Sequence, residues 1–177
     1  EELIMQNLDK LYELAAQVAD HKGLRVYDLE LTGGGNGKIL RVYIDKPGSV
    51  GVSLDDCSEF SNAFSLILDV EDVVDGHYNL EVSSPGIERD LKKPWHYKES
   101  VGETISVSLR EPLMKLHPNI EQQFASRKKV TGLVKSSNED VLEMEFEGRS
   151  ITLPMQYVVK AHVVFDFTKK QEKGKEH

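Results

Sequence analysis

The sequence predicts a two-part α+β protein, in which an α-β-β-α-β domain precedes a small barrel of short strands. Helical and strand periodicities alternate in the first half of the chain, and five short strands follow at close spacing in the second. The charge also differs between the halves, since residues 1–90 carry 18 acidic and 7 basic side chains and residues 91–177 carry 12 and 15. The net charge of −8 argues against a protein whose whole surface coats nucleic acid.

The first domain, residues 1–86, is predicted from these periodicities. Its elements are a helix over 2–20, strands over 24–31 and 39–45, a helix over 53–68 and a strand over 78–83. Ser53 and Asp56 have the spacing of a capping box, which begins the second helix. The glycine-rich segment 33–37 lacks the spacing of a phosphate-binding loop and is followed by a strand, so we expect a hairpin tip. The result is a three-stranded sheet with two helices on one face.

The second domain is predicted from a different pattern. Residues 87–99 are expected to connect the domains, because Pro94 and a change in composition interrupt the periodicity. Residues 100–168 then hold strands over 104–109, 129–135, 141–146, 150–153 and 158–167. Five short strands with tight turns are typical of an SH3-like or Sm-like barrel. We expect residues 112–126 to form a long loop and residues 169–177 to form a flexible polar tail.

No arrangement of residues suggests catalysis, a metal or a cofactor. Cys57 is the single cysteine, which excludes an internal disulfide and fits a reducing cytoplasm. Its register with Phe60 and Phe64 predicts a buried, inert thiol. The six histidines show neither HxH nor HExxH spacing. The apolar runs are too short to span a membrane. We therefore expect a non-enzymatic protein without membrane contact.

Two basic clusters suggest contact with RNA. The junction cluster is Arg89, Lys92, Lys93 and Lys98, interleaved with Trp95, His96 and Tyr97. The loop cluster is Arg127, Lys128 and Lys129. Basic groups contact phosphates and rings stack on bases, so this composition suits RNA. The alternative for the junction is that the rings fill the space between the domains while the lysines are solvated.

Acidic residues in the first domain suggest a basic protein partner. The acidic cluster is Asp69, Glu71, Asp72 and Asp75, and Asp28 and Glu30 add carboxylates on the polar face of a strand. Such a surface attracts a cationic partner and makes the association sensitive to salt. The alternative is a solvated face without a partner.

The segment YNLEVSSPGIERDL at residues 78–91 resembles the signature of the bacterial ribosome maturation factor RimP family. Further matches, in one order along the chain, are LRVYIDKP at 40–47, LDDC at 54–57, LDVED at 68–72 and KKVTG at 128–132. The signature turn is Ser83, Ser84, Pro85 and Gly86. Gly86 can adopt a positive φ there, and Pro85 fixes its own φ. Asp90 stands where the family has proline, and His162 stands where a basic residue is usual.

The resemblance implies an N-terminal domain similar to part of a KH domain, followed by an SH3-like or Sm-like barrel. It implies a non-enzymatic, cofactor-free assembly factor that binds the immature small (30S) ribosomal subunit and promotes its maturation. Its partners would be ribosomal RNA and a basic ribosomal protein near the decoding region. We expect a cytoplasmic monomer whose acidic cluster contacts the protein and whose basic clusters contact the RNA. The alternative is a stand-alone module that recognises free RNA.

Overall fold

A computed structural model of the protein describes residues 2–33, 37–48 and 51–165. The chain divides into two compact units, with the division between Pro85 and Gly86. We call residues 1–85 the first unit and residues 86–177 the second unit. The centre of the predicted glycine-rich hairpin tip and the predicted polar tail lie outside the described residues.

The first unit has the element order that the sequence predicts. It contains α1 (Glu2–His21), β1 (Arg25–Gly33), β2 (Lys38–Asp45), α2 (Leu54–Glu71) and β3 (Tyr78–Ser83). β1 runs antiparallel to β2, whereas β3, which follows the crossover through α2, runs parallel to it. Leu40, Val42 and Ile44 are fully buried on one face of β2, in the same core as residues of both helices.

A reciprocal capping box begins α2. The Ser53 hydroxyl oxygen accepts a hydrogen bond from the Asp56 amide at 3.0 Å, and the Asp56 carboxylate accepts one from the Ser53 amide at 2.8 Å. Lys46 also donates to Asp56 at 2.9 Å, and this bond, followed by those from Ser53, lowers the pKa of Asp56 to about 2. The predicted start of the helix is therefore confirmed.

A β-bulge in β1 changes the predicted alternation of side chains. The register with β2 shifts between Val26 and Asp28, so that Tyr27, Asp28 and Leu29 are buried in succession. Asp28 is 7 % exposed, and its carboxylate accepts a hydrogen bond from the Tyr12 hydroxyl at 2.7 Å. The prediction that Asp28 contributes to an acidic surface is therefore wrong.

The second unit is built on a six-stranded antiparallel sheet. It contains β4 (Asp90–Leu91), α3 (Pro94–Glu99), β5 (Thr104–Leu109), α4 (Leu113–Leu116), α5 (Gln122–Ala125), β6 (Lys129–Ser137), β7 (Val141–Phe146), β8 (Arg149–Pro154) and β9 (Val158–Val163). The strand order is β4-β9-β5-β6-β7-β8, and no pairing joins β4 to β8 among the residues that the structure describes. The α+β class is confirmed, and the second sheet is open.

The segment predicted to connect the domains is part of the second unit. Leu91 in β4 pairs with Ala161 in β9, which is distant in the sequence. Leu91 and Tyr97 are buried in the core of the second unit, and the Tyr97 hydroxyl donates to the Leu91 carbonyl at 3.1 Å. Residues 87–99 therefore do not form a separate connection, because β4 and α3 complete the sheet and its core.

The predicted long loop, residues 112–126, is folded against the same core. It forms α4 and α5, in which Leu113 and Phe124 are buried. The Phe124 ring meets the Phe146 ring edge-on, with 5.1 Å between centroids. The His117 Nε2 atom donates to the Thr152 carbonyl at 2.7 Å. Since Thr152 lies on the edge strand β8, the loop satisfies part of an otherwise unpaired edge.

Candidate functional site

The acidic cluster lies at the C-terminal end of α2 and in the segment that follows it. All four side chains are exposed. Asp72 ends the helix with a left-handed backbone (φ 47°), and its amide donates to the Leu68 carbonyl at 3.0 Å. No ion pair engages any of the four carboxylates within the described ranges. The cluster is therefore an uncompensated negative surface.

The position of the acidic cluster opposes the stability of α2. The carbonyl groups at a helix C-terminus carry partial negative charge, so carboxylates there are unfavourable, and the last turn of α2 holds no basic residue. The negative charge of the cluster also affects the neighbouring Tyr78 hydroxyl. Burial, followed by the nearby carboxylates of Asp69 and Asp72, raises the pKa of the Tyr78 hydroxyl. These charges do not stabilise the helix that carries them.

Two apolar side chains accompany the acidic cluster on α2. Leu66 is 69 % exposed and Val70 is 82 % exposed, and they lie four residues apart on one side of the helix. We did not predict this pair from the sequence. The signal was present, because Leu66 and Val70 are out of phase with Phe60, Phe64 and Leu68, which form the buried face. The end of α2 thus presents apolar and acidic groups together.

Basic side chains of the first unit are engaged within that unit. Each lysine or arginine that the structure describes there bonds to an oxygen atom of the same unit. The pairs are Lys10–Glu13, Lys22–Glu59, Arg25–Asp45, Lys38 with the Asp75 carbonyl, Arg41–Glu81 and Lys46–Asp56. The most buried pair is bidentate, because Arg25 donates from Nε and Nη2 to the two Asp45 oxygens at 2.8 and 2.9 Å.

The junction cluster is distributed over β4 and α3. Arg89 precedes β4, and its Nε atom donates to the Gly86 carbonyl at 3.1 Å within the signature turn, where Gly86 has a φ of +81°. Lys92 is exposed, Lys93 is the N-cap residue of α3, and Lys98 is exposed on that helix. Arg89 is therefore tied to the turn, and the exposed charge comes mainly from Lys92 and Lys98.

Two of the three rings of the junction are buried in the second unit. His96 and Tyr97 are buried, at 2 % and 4 % exposure. The His96 Nδ1 atom accepts hydrogen bonds from the amides of Lys92 and Lys93 at 3.0 and 3.2 Å, so this ring completes the start of α3. The Trp95 ring meets the His96 ring edge-on, with 4.2 Å between centroids. Burial removes the His96 and Tyr97 rings from any stacking surface, whereas the Trp95 ring is partly exposed.

The loop cluster lies where β6 begins and β7 ends. Arg127, Lys128 and Lys129 line an open cavity of about 410 Å³ together with Thr131, Phe146 and Glu147. The Arg127 guanidinium lies 4.8 Å from the centroid of the Phe124 ring and forms an ion pair with Glu147 at 3.6 Å. Lys128 and Lys129 are exposed, and no described acidic group pairs with them. Two exposed ammonium groups without a described acidic partner therefore follow an arginine that contacts Glu147 and the Phe124 ring.

A second arginine stabilises the loop beside this cluster. Arg149 in β8 donates to the Glu121 carboxylate at 2.7 Å and lies 5.6 Å from the Phe124 ring centroid. This hydrogen bond is the main cause of the lowered pKa of Glu121. The arginine thus fixes α5 next to the loop cluster. The sequence did not suggest this pair, because Glu121 and Arg149 are 28 residues apart and meet only in the folded chain.

The described residues offer no arrangement of side chains for metal chemistry. Among them, no group of three or more His, Cys, Asp or Glu residues has the geometry to hold a metal ion. Cys57 is partly buried rather than fully buried, and burial followed by the Asp56 charge raises the pKa of its thiol. An activated cysteine nucleophile requires the opposite shift. In the described part of the chain, no helix is both long and apolar enough to cross a membrane.

Comparison with known families concerns the first unit and the turn that follows it. Residues 14–88 match the family described as RimP N-terminal domain. The matched segment runs from α1 through β3 to the residues after the signature turn, and it includes the whole acidic cluster. The match confirms the resemblance predicted from the sequence motifs. The RimP N-terminal domain at these residues supports the RimP ribosome maturation factors as the family of this chain.

Proposed function

We propose that the protein is a non-enzymatic assembly factor that binds the immature small (30S) ribosomal subunit and promotes its maturation. The single observation that carries this proposal is the RimP N-terminal domain at residues 14–88, since that family consists of non-enzymatic maturation factors. We further propose that the protein works in the cytoplasm as a monomer and without a cofactor. An uncompensated charged surface on each unit supports a role in binding.

We propose that the two units bind different components of the subunit. The acidic cluster, with Leu66 and Val70 beside it, would contact a basic ribosomal protein near the decoding region. The loop cluster and the exposed lysines of the junction cluster would contact ribosomal RNA. Each contact is modest alone, but joining them in one chain raises the effective concentration for the second contact. Ser83, Ser84, Pro85 and Gly86 would serve as a structural turn.

We interpret the second sheet as an open SH3-like or Sm-like barrel, and the first unit as similar to part of a KH domain. Irregularities in the register support curvature of the second sheet, because bulges bend the strands that carry them. They occur between Ser108 and Leu109 in β5 and between Val134 and Ser136 in β6. The apolar side chains of the sheet form one core, which β4, α3 and the loop at residues 112–126 help to cover.

The proposal is tested by co-sedimentation of the full chain across a salt series. The targets are free small subunits, joined ribosomes and small-subunit RNA stripped of protein. Retention on free subunits, with weaker retention on the other two targets, is the expected result, because the site combines protein and RNA. Equal or tighter binding to stripped RNA would contradict the proposal and favour a stand-alone RNA-binding module.

A further inference from the structure

Three neighbouring strands of the second unit present a cationic row on the face opposite the core. Ser108 in β5 pairs with Lys129 in β6 on one side and with Lys160 in β9 on the other. The strand neighbours of these residues that are buried in the core are Val107, Val130 and Ala161. Because successive side chains alternate between faces, Ser108, Lys129 and Lys160 lie on the outer face. We call these three residues the basic row.

The two lysines of the basic row are uncompensated. Adjacent strands lie about 4.8 Å apart, so the Cα atoms of Lys129 and Lys160 are about 10 Å apart, within reach of one or two phosphate groups. Both side chains are exposed, and neither has an ion pair with any described residue. Lys135, further along β6, differs because it pairs with Glu145 at 3.0 Å. The sheet therefore neutralises one lysine and leaves the basic row available to an anion.

The basic row continues the loop cluster across the sheet. Lys129 belongs to both groups, since it also lines the cavity with Arg127 and Lys128. Arg110 directly follows β5, is exposed, and has its backbone amide bonded to the Tyr157 carbonyl at 2.8 Å. Strand pairing thus joins cations from separate parts of the sequence, and Lys160 enters the surface although it belongs to neither predicted cluster.

The side chains of this face favour contact with a phosphate backbone over stacking on bases. Its register positions on the three strands hold Thr104, Ser106, Ser108, Lys129, Thr131, Leu133, Lys160 and His162. None is a Phe, Tyr or Trp residue, which single-stranded RNA binding uses for stacking. Ammonium and hydroxyl groups instead contact phosphates and 2′-hydroxyls, the features by which double-helical RNA is recognised. Ser106 is only 4 % exposed, so its hydroxyl is not accessible, whereas the hydroxyl of the exposed Thr131 is accessible to RNA.

We propose that the basic row, together with the loop cluster, binds the phosphate backbone of a double-helical RNA segment. The inference rests on the proposed function, which supplies ribosomal RNA as the partner, and adds the binding face, Lys160 and the form of the RNA. Binding is electrostatic, and it depends on the shape of the RNA rather than its sequence.

The test measures affinity of the full chain for an RNA duplex of about 20 base pairs and for a single strand of the same length, across a salt series. The variant is Lys129→Gln with Lys160→Gln. The control is Lys10→Gln with Lys115→Gln, which removes the same charge from one partly exposed and one exposed position outside the row. Because two phosphate contacts are lost, we expect the variant to bind the duplex roughly tenfold more weakly at low salt. The slope of the logarithm of the binding constant against the logarithm of the salt concentration should be smaller in magnitude by about two. The control retains the wild-type affinity and slope, as does Lys129→Arg with Lys160→Arg.

Two results would overturn the inference while leaving the proposed function intact. One is that the wild-type protein is retained on small subunits, but the double variant and the control lose the same amount of affinity for the RNA duplex. The other is tighter binding of the wild-type protein to the single strand than to the duplex. Failure of the wild-type protein to bind small subunits would instead contradict the proposed function itself. Circular dichroism of each variant confirms that the comparison is between folded proteins.

Discussion

The two units differ in which of their charges are left without partners. In the first unit every described lysine and arginine bonds to an oxygen, while the acidic cluster at the end of α2 has no ion pair among the described residues. In the second unit Arg127, Lys135 and Arg149 are paired, while Lys128, Lys129 and Lys160 have no described acidic partner. Basic residues therefore stabilise the first fold, whereas several in the second are available for binding.

The comparison gives opposite expectations for the loss of a basic residue in each unit. Arg25→Gln removes the hydrogen bonds that the Arg25 Nε and Nη2 atoms donate to Asp45, which is 4 % exposed. We expect a loss of about 3 kcal/mol in the free energy of unfolding, with unchanged RNA affinity once the variant is folded. Urea denaturation measures the loss. Lys10→Gln, which breaks an exposed pair with Glu13, should cost about 0.5 kcal/mol or less. Equal stabilities for the two variants would contradict this part of the comparison.

A buried tyrosine should make the second unit less stable at alkaline pH. Burial raises the pKa of Tyr97 to about 12, whereas the pKa in the unfolded chain is about 10. The folded state therefore keeps a proton that the unfolded state loses, and stability falls as pH rises from about 10 to 12, by about 2 kcal/mol.

Tyr97→Phe separates this effect from packing. At pH 7 the variant should be less stable by about 1 kcal/mol, because the hydrogen bond to the Leu91 carbonyl is lost. Near pH 12 the order should reverse, since phenylalanine does not ionise. Urea denaturation at both pH values measures the difference, and parallel pH profiles for the two proteins would show that Tyr97 is not the group responsible.

The acidic cluster should lower stability slightly while it supports binding. Asp69→Asn with Asp72→Asn removes negative charge from the C-terminal end of α2, so we expect a gain of about 0.5–1 kcal/mol. The pKa of Tyr78 should fall toward its ordinary value, as followed by ultraviolet titration, because both carboxylates contribute to raising it. Asp55→Asn, in the first turn of the same helix, should have the opposite effect on stability. A loss of stability in the double variant would show that these acids have a structural role.

Local signals in the sequence predicted most of the first fold, because its elements depend on near neighbours. Ser53 and Asp56 predict the start of α2 from a spacing of three residues, and the side-chain contacts agree. The burial of Asp28 was not predictable in this way. It depends on a bulge in the pairing of β1 with β2 and on a hydroxyl supplied by Tyr12 of α1.

The incorrect predictions for the second unit have the same cause, which is contact between residues that are distant in the sequence. Nothing near Leu91 indicates that it pairs with Ala161, so the sequence predicts a connection where the structure has β4, α3 and their buried rings. Clusters of basic residues are visible in the sequence, but their surfaces are not. Lys160 joins Lys129 only through the register of β9, β5 and β6. Charge composition thus predicts the sign of the uncompensated charge on each unit, and strand pairing decides which residues share a face.

We propose that the acidic and basic surfaces bind different components of the small subunit. The most direct test uses two double variants: the acidic variant carries Asp69→Lys and Glu71→Lys, and the basic variant carries Lys129→Gln and Lys160→Gln. The retention of each is measured on intact small subunits and on RNA stripped of protein. We expect the acidic variant to bind subunits roughly tenfold more weakly and stripped RNA with unchanged affinity, whereas the basic variant should bind both more weakly. An acidic variant that responds equally on both targets, or a basic variant that responds on neither, would contradict the proposal.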